Sequence, residues 1–260
     1  MRPPVGGSKG KRTRRSGFCR RPLAASALCA VAACLGVAAP ASAGEKLVAL
    51  TFDDGPSPYT RDVLHQLERK HALATFFVVG EHLATYGSAL KPMVRRGHEV
   101  ANHTWTHPFL TNLPSKRVKS QLARTNRGIR RAAGRRPRMM RPPYGDVNGR
   151  VRRIAKREKL RTVLWDVDPS DYYQPSAETI ADRVVHGVDR QSIVLLHDGG
   201  GPRRNTVRAV PKIVHRLRQR GYSFVTVSDY FREARRTGTA ARVTSAGERF
   251  ESEPRDAYRP

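Results

Sequence analysis

Between residues 45 and 235, short β-rich runs alternate with amphipathic helical stretches, and this alternation constrains the fold more than any other feature. The β-rich runs lie at 46–52, 73–79, 98–102, 137–140, 161–166, 191–196 and 222–227. Helix-like segments fall near 59–70, 82–96, 115–132, 147–159, 176–186, 204–220 and 228–235. Pro114-Ser115 and Pro175-Ser176 are suitable helix starts, while Gly97 and Gly221 sit where helices would stop. Strands joined through helices run parallel, because a tight hairpin cannot connect them. The pattern therefore predicts an α/β domain over residues 44–235, built on a parallel sheet that is open or closed into a barrel. At 38% hydrophobic and 27% charged, the chain has enough apolar material for one sizeable core.

The unusual polar residues gather at one end of these runs. Asp53-Asp54 follow the first strand, His103 and His107 the third, and Arg141 the fourth. Asp166 to Asp171 follow the fifth and His197-Asp198 the sixth. Every group lies at the C-terminal end of its strand, the face on which α/β sheets and barrels build their sites. Chance would spread them over both ends.

Two imidazoles and a carboxylate can hold a divalent ion with a position left open for water, and a second carboxylate could act as a base on that water. Each group also has a plainer reading. Asp53 and Asp54 with Gly55-Pro56 make good turn chemistry. The pair His103 and His107 shares a face if the segment is locally helical, and could equally be a satisfied surface feature. Arg141-Pro142-Pro143-Tyr144-Gly145 is a stiff loop that either only shapes the chain, or pairs Arg141 with a carboxylate and aims an N–H into the site. A lone His197 at a strand end is open to a structural role. His65, His71, His82, His98, His186 and His215 read as helix or loop surface.

The two ends read differently. Residues 1–22 carry eight Lys/Arg and no acid, an apolar stretch follows from Leu23 to Ala39, and Ala41-Ser42-Ala43 is a small-x-small cleavage site. This is the layout of a secretory signal over 1–43, too short and Ala-rich for a membrane span, and it predicts a secreted or cell-wall-associated protein. Thr13-Arg14-Arg15-Ser16 hints at twin-arginine export, and Val31-Ala32-Ala33-Cys34 loosely resembles a lipoprotein cleavage box. Cys19, Cys29 and Cys34 all fall in this segment, so a processed chain has no disulfide and any metal must use nitrogen and oxygen ligands. The net charge of +27 drops to about +19 once the segment's eight cations are removed. That excess is either a solvated Arg-rich surface or an attraction to polyanionic wall polymer or anionic lipid. No aromatic-interleaved basic motif points to nucleic acid. Residues 236–260 lose hydrophobic periodicity and read as a polar, disordered tail.

With these residues assembled, the chain resembles the polysaccharide deacetylases of the NodB-homology family, a carbohydrate esterase group, over about residues 45–231. Five motifs appear in order: Thr51-Phe52-Asp53-Asp54-Gly55, His103-Thr104-Trp105-Thr106-His107, Arg141-Pro142-Pro143-Tyr144-Gly145, Asp168-Pro169-Ser170-Asp171-Tyr172 and Leu195-Leu196-His197-Asp198. The resemblance implies a distorted (β/α) barrel of about seven strands in a single catalytic domain. It implies Asp54, His103 and His107 as ligands of a divalent metal, usually zinc, with cobalt or nickel as substitutes. Asp53 would be the general base toward the attacking water and His197 the general acid toward the leaving amine. Arg141 would hold Asp53, and Asp171 would orient and tune His197. The backbone N–H of Tyr144 would stabilise the oxyanion, and Leu195 would line the acetyl-methyl pocket. Tyr172 stands where the family usually has Trp, which bears on substrate fit. The expected substrate is an N-acetylglucosamine polymer (peptidoglycan or chitin), acted on by a monomer. An acetylxylan esterase is the near alternative, and a non-catalytic wall-binding module the remote one.

Overall fold

The computed structural model describes residues 45–236. The secretory signal expected at 1–43 and the tail expected at 236–260, apart from Arg236, lie outside the described residues. Seven strands form among these residues: β1 (Lys46–Gly55), β2 (Ala74–Val78), β3 (Glu99–Asn102), β4 (Met139–Met140), β5 (Arg161–Thr162), β6 (Gln191–His197) and β7 (Tyr222–Phe224). The helices are α1 (Thr60–Arg69), α2 (Leu83–Tyr86), α3 (Leu90–Arg95), α4 (Ser115–Ala133), α5 (Gly149–Arg157), α6 (Ala177–Gly187), α7 (Arg204–Gln219) and α8 (Val227–Arg236). All the strand pairs are parallel. The order is β5-β4-β3-β2-β1-β6, and β7 joins the start of β1 at Lys46–Val48.

Four elements differ from the sequence reading: β7 ends at Phe224 rather than 227 because α8 begins at Val227, and three others differ for local reasons. β4 begins at Met139 rather than 137, since Pro137 has no N–H to give a ladder. The helix expected over 82–96 breaks into α2, a 3₁₀ turn at Gly87–Ala89 and α3. Gly87 weakens it, and Pro92 cannot donate to the preceding turn. β5 ends at Thr162 instead of 166. Val163 still donates to the Met140 carbonyl at 2.9 Å, and the chain then crosses to β6. There Val167 bridges Val194, and the Leu195 N–H donates to the Val167 carbonyl at 2.9 Å. That crossing closes the sheet into the expected distorted (β/α) barrel.

Side chains alternate across a strand, so one phase of each strand faces the barrel interior. Leu47, Ala49, Phe77, Ala101, Met139, Ile193 and Leu195 fill that interior with Val163 and Trp165. The opposite phase, including Val48, Leu50, Phe52, Phe76, Val194 and Leu196, packs under α1, α6 and α7. Val227, Tyr230 and Phe231 of α8 close the N-terminal end of the barrel, with the Val227 N–H donating to Thr75 Oγ1 at 2.9 Å. Buried apolar area on both sides of the sheet is the main stabilising contribution. Among the described residues, no helix is long and apolar enough to cross a membrane.

His98 corrects a surface assignment: it is buried, its Nδ1 accepts the Ala74 N–H at 3.2 Å, and its ring meets Phe76 edge-on. Burial, with a smaller push from Arg96, drives its pKa down to about 4.

Candidate active site and metal centre

The interior phase carries the chemistry. Two residues beyond inward Thr51, Ala101, Met139 and Leu195 stand Asp53, His103, Arg141 and His197. The period-2 rule therefore sends all four into the open C-terminal mouth of the barrel. Asp53 lies opposite His197 in the β1–β6 register. Asp54 is out of phase and would face the helix layer on a regular strand. A register irregularity between Asp53 and Gly55, with Asp54 at a φ of 69°, turns it to the same site.

Close glycine contacts shape this bend. A Cβ on Gly55 would collide with the Asp198 carboxylate, and one on Gly199 or Gly200 would collide with Asp54. Asp198 itself is buried, accepts from the Thr60 hydroxyl, and has its pKa raised to about 7 by burial and then by Asp54 and Asp53. Sequence reading gave Asp198, Gly199 and Gly200 no separate role. The Asp198-Gly199-Gly200 run directly after β6 was the available signal.

The histidine pair does not lie on a helix, contrary to the condition set from sequence. Residues 103–107 form an irregular turn in which Thr104 and His107 have φ of 68° and 55°. Its amides are met by side chains: Asn102 Oδ1 accepts from Thr104 at 2.8 Å, Gln121 Oε1 from Trp105 at 2.7 Å, and Thr104 Oγ1 from His107 at 3.1 Å. The turn brings the two Nε2 atoms within 3.2 Å of each other. Asp54 Oδ1 lies 3.4 Å from Nε2 of His103 and 3.1 Å from Nε2 of His107, without hydrogen-bond geometry to either. On the far sides of the rings, His103 Nδ1–H donates to the Arg141 carbonyl at 2.8 Å and His107 Nδ1 shares a 3.1 Å hydrogen bond with the Tyr144 hydroxyl.

These residues fit a divalent cation. Nδ1–H bonding leaves the Nε2 lone pairs facing inward, and Asp54 Oδ1 is buried without a hydrogen-bond partner. The three edges of the ligand triangle match the roughly 3.3 Å edge that tetrahedral ligation at about 2.0–2.1 Å produces. Outer hydrogen bonds on both imidazoles are the usual supports of metal-ligating histidines. Burial works to raise the Asp54 pKa, but His103, His107 and His197 together hold it well below the usual carboxylate range. Burial likewise opposes charge on His103, and Asp53 and Asp54 outweigh it to raise that pKa.

Arg141 is completely buried between the rings of Phe77 and Trp165. Its Nη1 donates to Asp53 Oδ1 and to Thr51 Oγ1, both at 2.8 Å, and its Nη2 to the Leu164 carbonyl at 3.0 Å. Asp53 Oδ1 is thereby tied, while Oδ2 stands 3.6 Å from His103 Nε2 on the ligand side. Across the mouth, His197 Nδ1–H donates to Asp171 Oδ1 at 2.7 Å, and its backbone N–H donates to Oδ2 at 2.9 Å. The Thr206 hydroxyl adds a third bond at 2.7 Å, fixing Asp171 completely. Burial would lower the His197 pKa, but Asp171 first, then Asp54 and Asp53, push it up to about 9. Its ring is therefore protonated at neutral pH in this arrangement.

The remaining sequence candidates line the rim and floor. Tyr144 has a φ of 58° between Pro143 and Gly145, and its ring stacks on Phe109 at 4.1 Å. Leu195 sits in the interior directly below His197. Tyr172 meets the His197 ring edge-on at 5.5 Å, and beside it Tyr173 is 66% exposed. Asp168 caps its own turn by accepting the Ser170 N–H at 2.7 Å, and Asp166 accepts the Ile193 N–H at 2.8 Å.

A barrel whose mouth gathers two carboxylates, two imidazoles at metal-ligand spacing and a third imidazole paired with a carboxylate is that of the polysaccharide deacetylases, hydrolases to whose family the chain belongs. The family's sequence profile, described as Polysaccharide deacetylase, matches residues 41–163. The chain is 40% identical over 185 residues to Peptidoglycan-N-acetylmuramic acid deacetylase PdaC of Bacillus subtilis (strain 168), covering 71% of this chain and 38% of that protein. It therefore spans well under half of that relative. It is 39% identical over 191 residues to a Peptidoglycan-N-acetylglucosamine deacetylase of Bacillus cereus, covering 72% of this chain and 89% of that protein. A solved structure of peptidoglycan deacetylase PdaC from Bacillus subtilis superposes with a TM-score of 0.69 at 37% identity, covering 75% of this chain and 94% of that one.

Proposed function

We propose that the protein is an exported N-deacetylase that releases acetate from N-acetylated sugars of peptidoglycan or a chitin-like polymer. The observation that carries this reading is the opposed pair of proton carriers: Asp53, with one oxygen tied to Arg141 and the other at the ligand triad, and His197, charged and clamped by Asp171. An amide needs both. Its leaving nitrogen departs only if protonated, and a positioned acid and base each typically contribute about 10²–10⁴-fold.

Asp54, His103 and His107 would hold a divalent ion, zinc or else cobalt or nickel, whose chemistry there is to bring the pKa of water from about 15.7 towards 7 and to polarise the acetyl carbonyl. Asp53 Oδ2 takes the proton as water adds to the carbonyl carbon. Arg141 prevents Asp53 from turning away. The Tyr144 N–H assists at the developing oxyanion, while Leu195 receives the methyl group. As the tetrahedral intermediate collapses, His197 Nε2 gives its proton to nitrogen and the C–N bond breaks. Tyr172 and exposed Tyr173 offer ring faces to the sugars flanking the cleaved acetamide.

The sequence layout of residues 1–43 supports export, and fractionation of the producing cell tests it. The test of activity is acetate release from N-acetylated chitooligosaccharide and from peptidoglycan, with and without chelator. Activity that survives both chelation and Asp53→Asn removes the mechanism. O-deacetylation of xylan is the second reading, supported by the likeness to the solved Xyl-CE4 domain of a multidomain xylanase at 34% identity. An alkoxide leaves more readily than an amine, so His197→Ala should cost ester turnover less than amide turnover.

A further inference from the structure

The surface cations of this protein are unevenly paired. Around α6 and α7, Lys212 meets Glu178 at 3.0 Å and Arg216 meets Asp182 at 2.7 Å, and Arg96 meets Glu68 at 2.6 Å. At the N-terminal end of the barrel the pattern changes. An open cleft of about 480 Å³ there is walled by Arg138, Arg152, Lys156, Lys159 and Arg161 over Leu160. No carboxylate lines it, and none of the five cations makes an ion pair among the described residues. The acid adjacent in sequence, Glu158, is engaged by Arg136, which contacts both its carboxylate and its carbonyl.

The cleft is built rather than frayed. Arg138 immediately precedes β4 and Arg161 opens β5, where the Arg161 N–H donates to the Arg138 carbonyl at 2.9 Å. The Arg161 guanidinium lies 3.5 Å from the centroid of the Phe231 ring, which fixes it. Arg152 and Lys156 share one face of α5, four residues apart, and Lys159 follows on the turn into β5. Burial, and then the neighbouring Arg235, press the Arg161 pKa down. Arg138 is separated from Arg141 by only the two residues of β4, about 10 Å along the strand. The cleft and the catalytic mouth thus occupy opposite ends of the same short strands.

Five like charges within about one Debye length repel one another unless anions intervene. Three of the five are arginines, whose planar fork suits phosphate oxygens. Among the described residues no aromatic ring lines the cleft, and Phe231 beside it is covered by Arg161, so the cleft offers charge without a stacking platform for a sugar or a base. We propose that this cleft binds a phosphodiester-linked polyanion and holds the barrel against it while the catalytic mouth faces away.

The test compares two variants of the full chain that carry the same charge change. One is Arg138→Gln/Arg152→Gln/Lys156→Gln in the cleft; the other is Lys119→Gln/Arg127→Gln/Arg131→Gln on exposed positions of α4. Binding to poly(glycerol phosphate) is measured from 0.05 to 1 M salt, with thermal melts and acetate release as controls. Taking about 0.7 counter-ions released per phosphate contact, the cleft variant should lose about 2 from the log–log salt slope and bind about 50-fold more weakly near 0.15 M salt. The α4 variant should bind less than about threefold more weakly, and both should keep native melting and turnover. Equal weakening of the two variants would reduce the effect to net charge and overturn the site. Tighter binding of anionic phosphatidylglycerol vesicles than of the polymer at matched phosphate would assign the cleft to a lipid surface and overturn the proposal.

Discussion

Replacing Asp171 with Asn keeps the outline of the clamp on His197 and removes its charge. In the native arrangement burial pulls the His197 pKa down, and Asp171 is the leading counterweight that, with Asp54 and Asp53, brings it to about 9. A fall to the ordinary value near 6.5 is about 2.5 units, or about 3.4 kcal/mol at 1.36 kcal/mol per unit. At pH 7.5 the imidazolium fraction then drops from nearly all molecules to about one in ten. Turnover of an N-acetyl substrate should fall at least tenfold there, and the alkaline limb of the kcat profile should move about two units toward acid. Asn at position 171 also loses its grip on the ring tautomer, which adds to the loss.

Acetate release across pH 5–10 reads the limb, and NMR titration of the His197 ring in metal-free protein reads the pKa directly. Stability should change in step. A histidine whose pKa is raised by folding contributes its full share below about pH 6.5 and loses it as pH rises through about 9. Urea midpoints of Asp171→Asn should therefore lack the native decline across that window. An alkaline limb and a ring pKa that both stay in place would refute the electrostatic account of His197.

Arg141→Met strands the Asp53 carboxylate and should cost about 3–5 kcal/mol in urea unfolding, while Arg141→Met/Asp53→Leu should recover most of that stability without activity. Zinc at about one hundred times its dissociation constant should stabilise the protein by about 2.7 kcal/mol, a rise of roughly 5–10 °C in melting temperature. Asp54→Asn should abolish that rise, and an unchanged zinc response in the variant would argue against the triad. His98, with its pKa depressed to about 4, contributes stability above about pH 6.5 that is lost as pH falls through 4. Between pH 6.5 and 4.5 the native protein should lose roughly 2–3 kcal/mol more than His98→Gln. Parallel slopes for the two proteins would show that His98 is not the titrating group.

The barrel was legible because strand-like runs alternate with helical stretches, and once β1 is a strand Leu47, Ala49 and Thr51 share a phase that Asp53 continues. The same continuation places His103, Arg141 and His197, so gathering polar groups at strand ends worked as a three-dimensional argument. What was not legible arises from contacts that sequence neighbours do not encode. The swing of Asp54 depends on Gly199 and Gly200 arriving from β6. The histidine turn is held by Gln121, which sits on α4. β5 stops early because barrel closure draws residues 163–167 to Val194, against their own strand propensity. His98 read as surface because a single histidine before a strand carries no trace of the Phe76 ring it packs on.

The in-register pairing of Asp53 with His197 has a consequence for how this enzyme can diversify. Neighbouring strands stand about 4.8 Å apart, and backbone hydrogen bonds fix that separation. The separation of the two backbones that carry Asp53 and His197 is thus set by the sheet itself. Insertions in the rim at 107–114, 145–149 or 168–176 can change which polymer is admitted and how it is threaded, yet leave that separation unchanged. A one-residue slip of β1 against β6 would be far more damaging than any such insertion, because it would exchange Asp53 for Phe52 or Asp54 opposite His197.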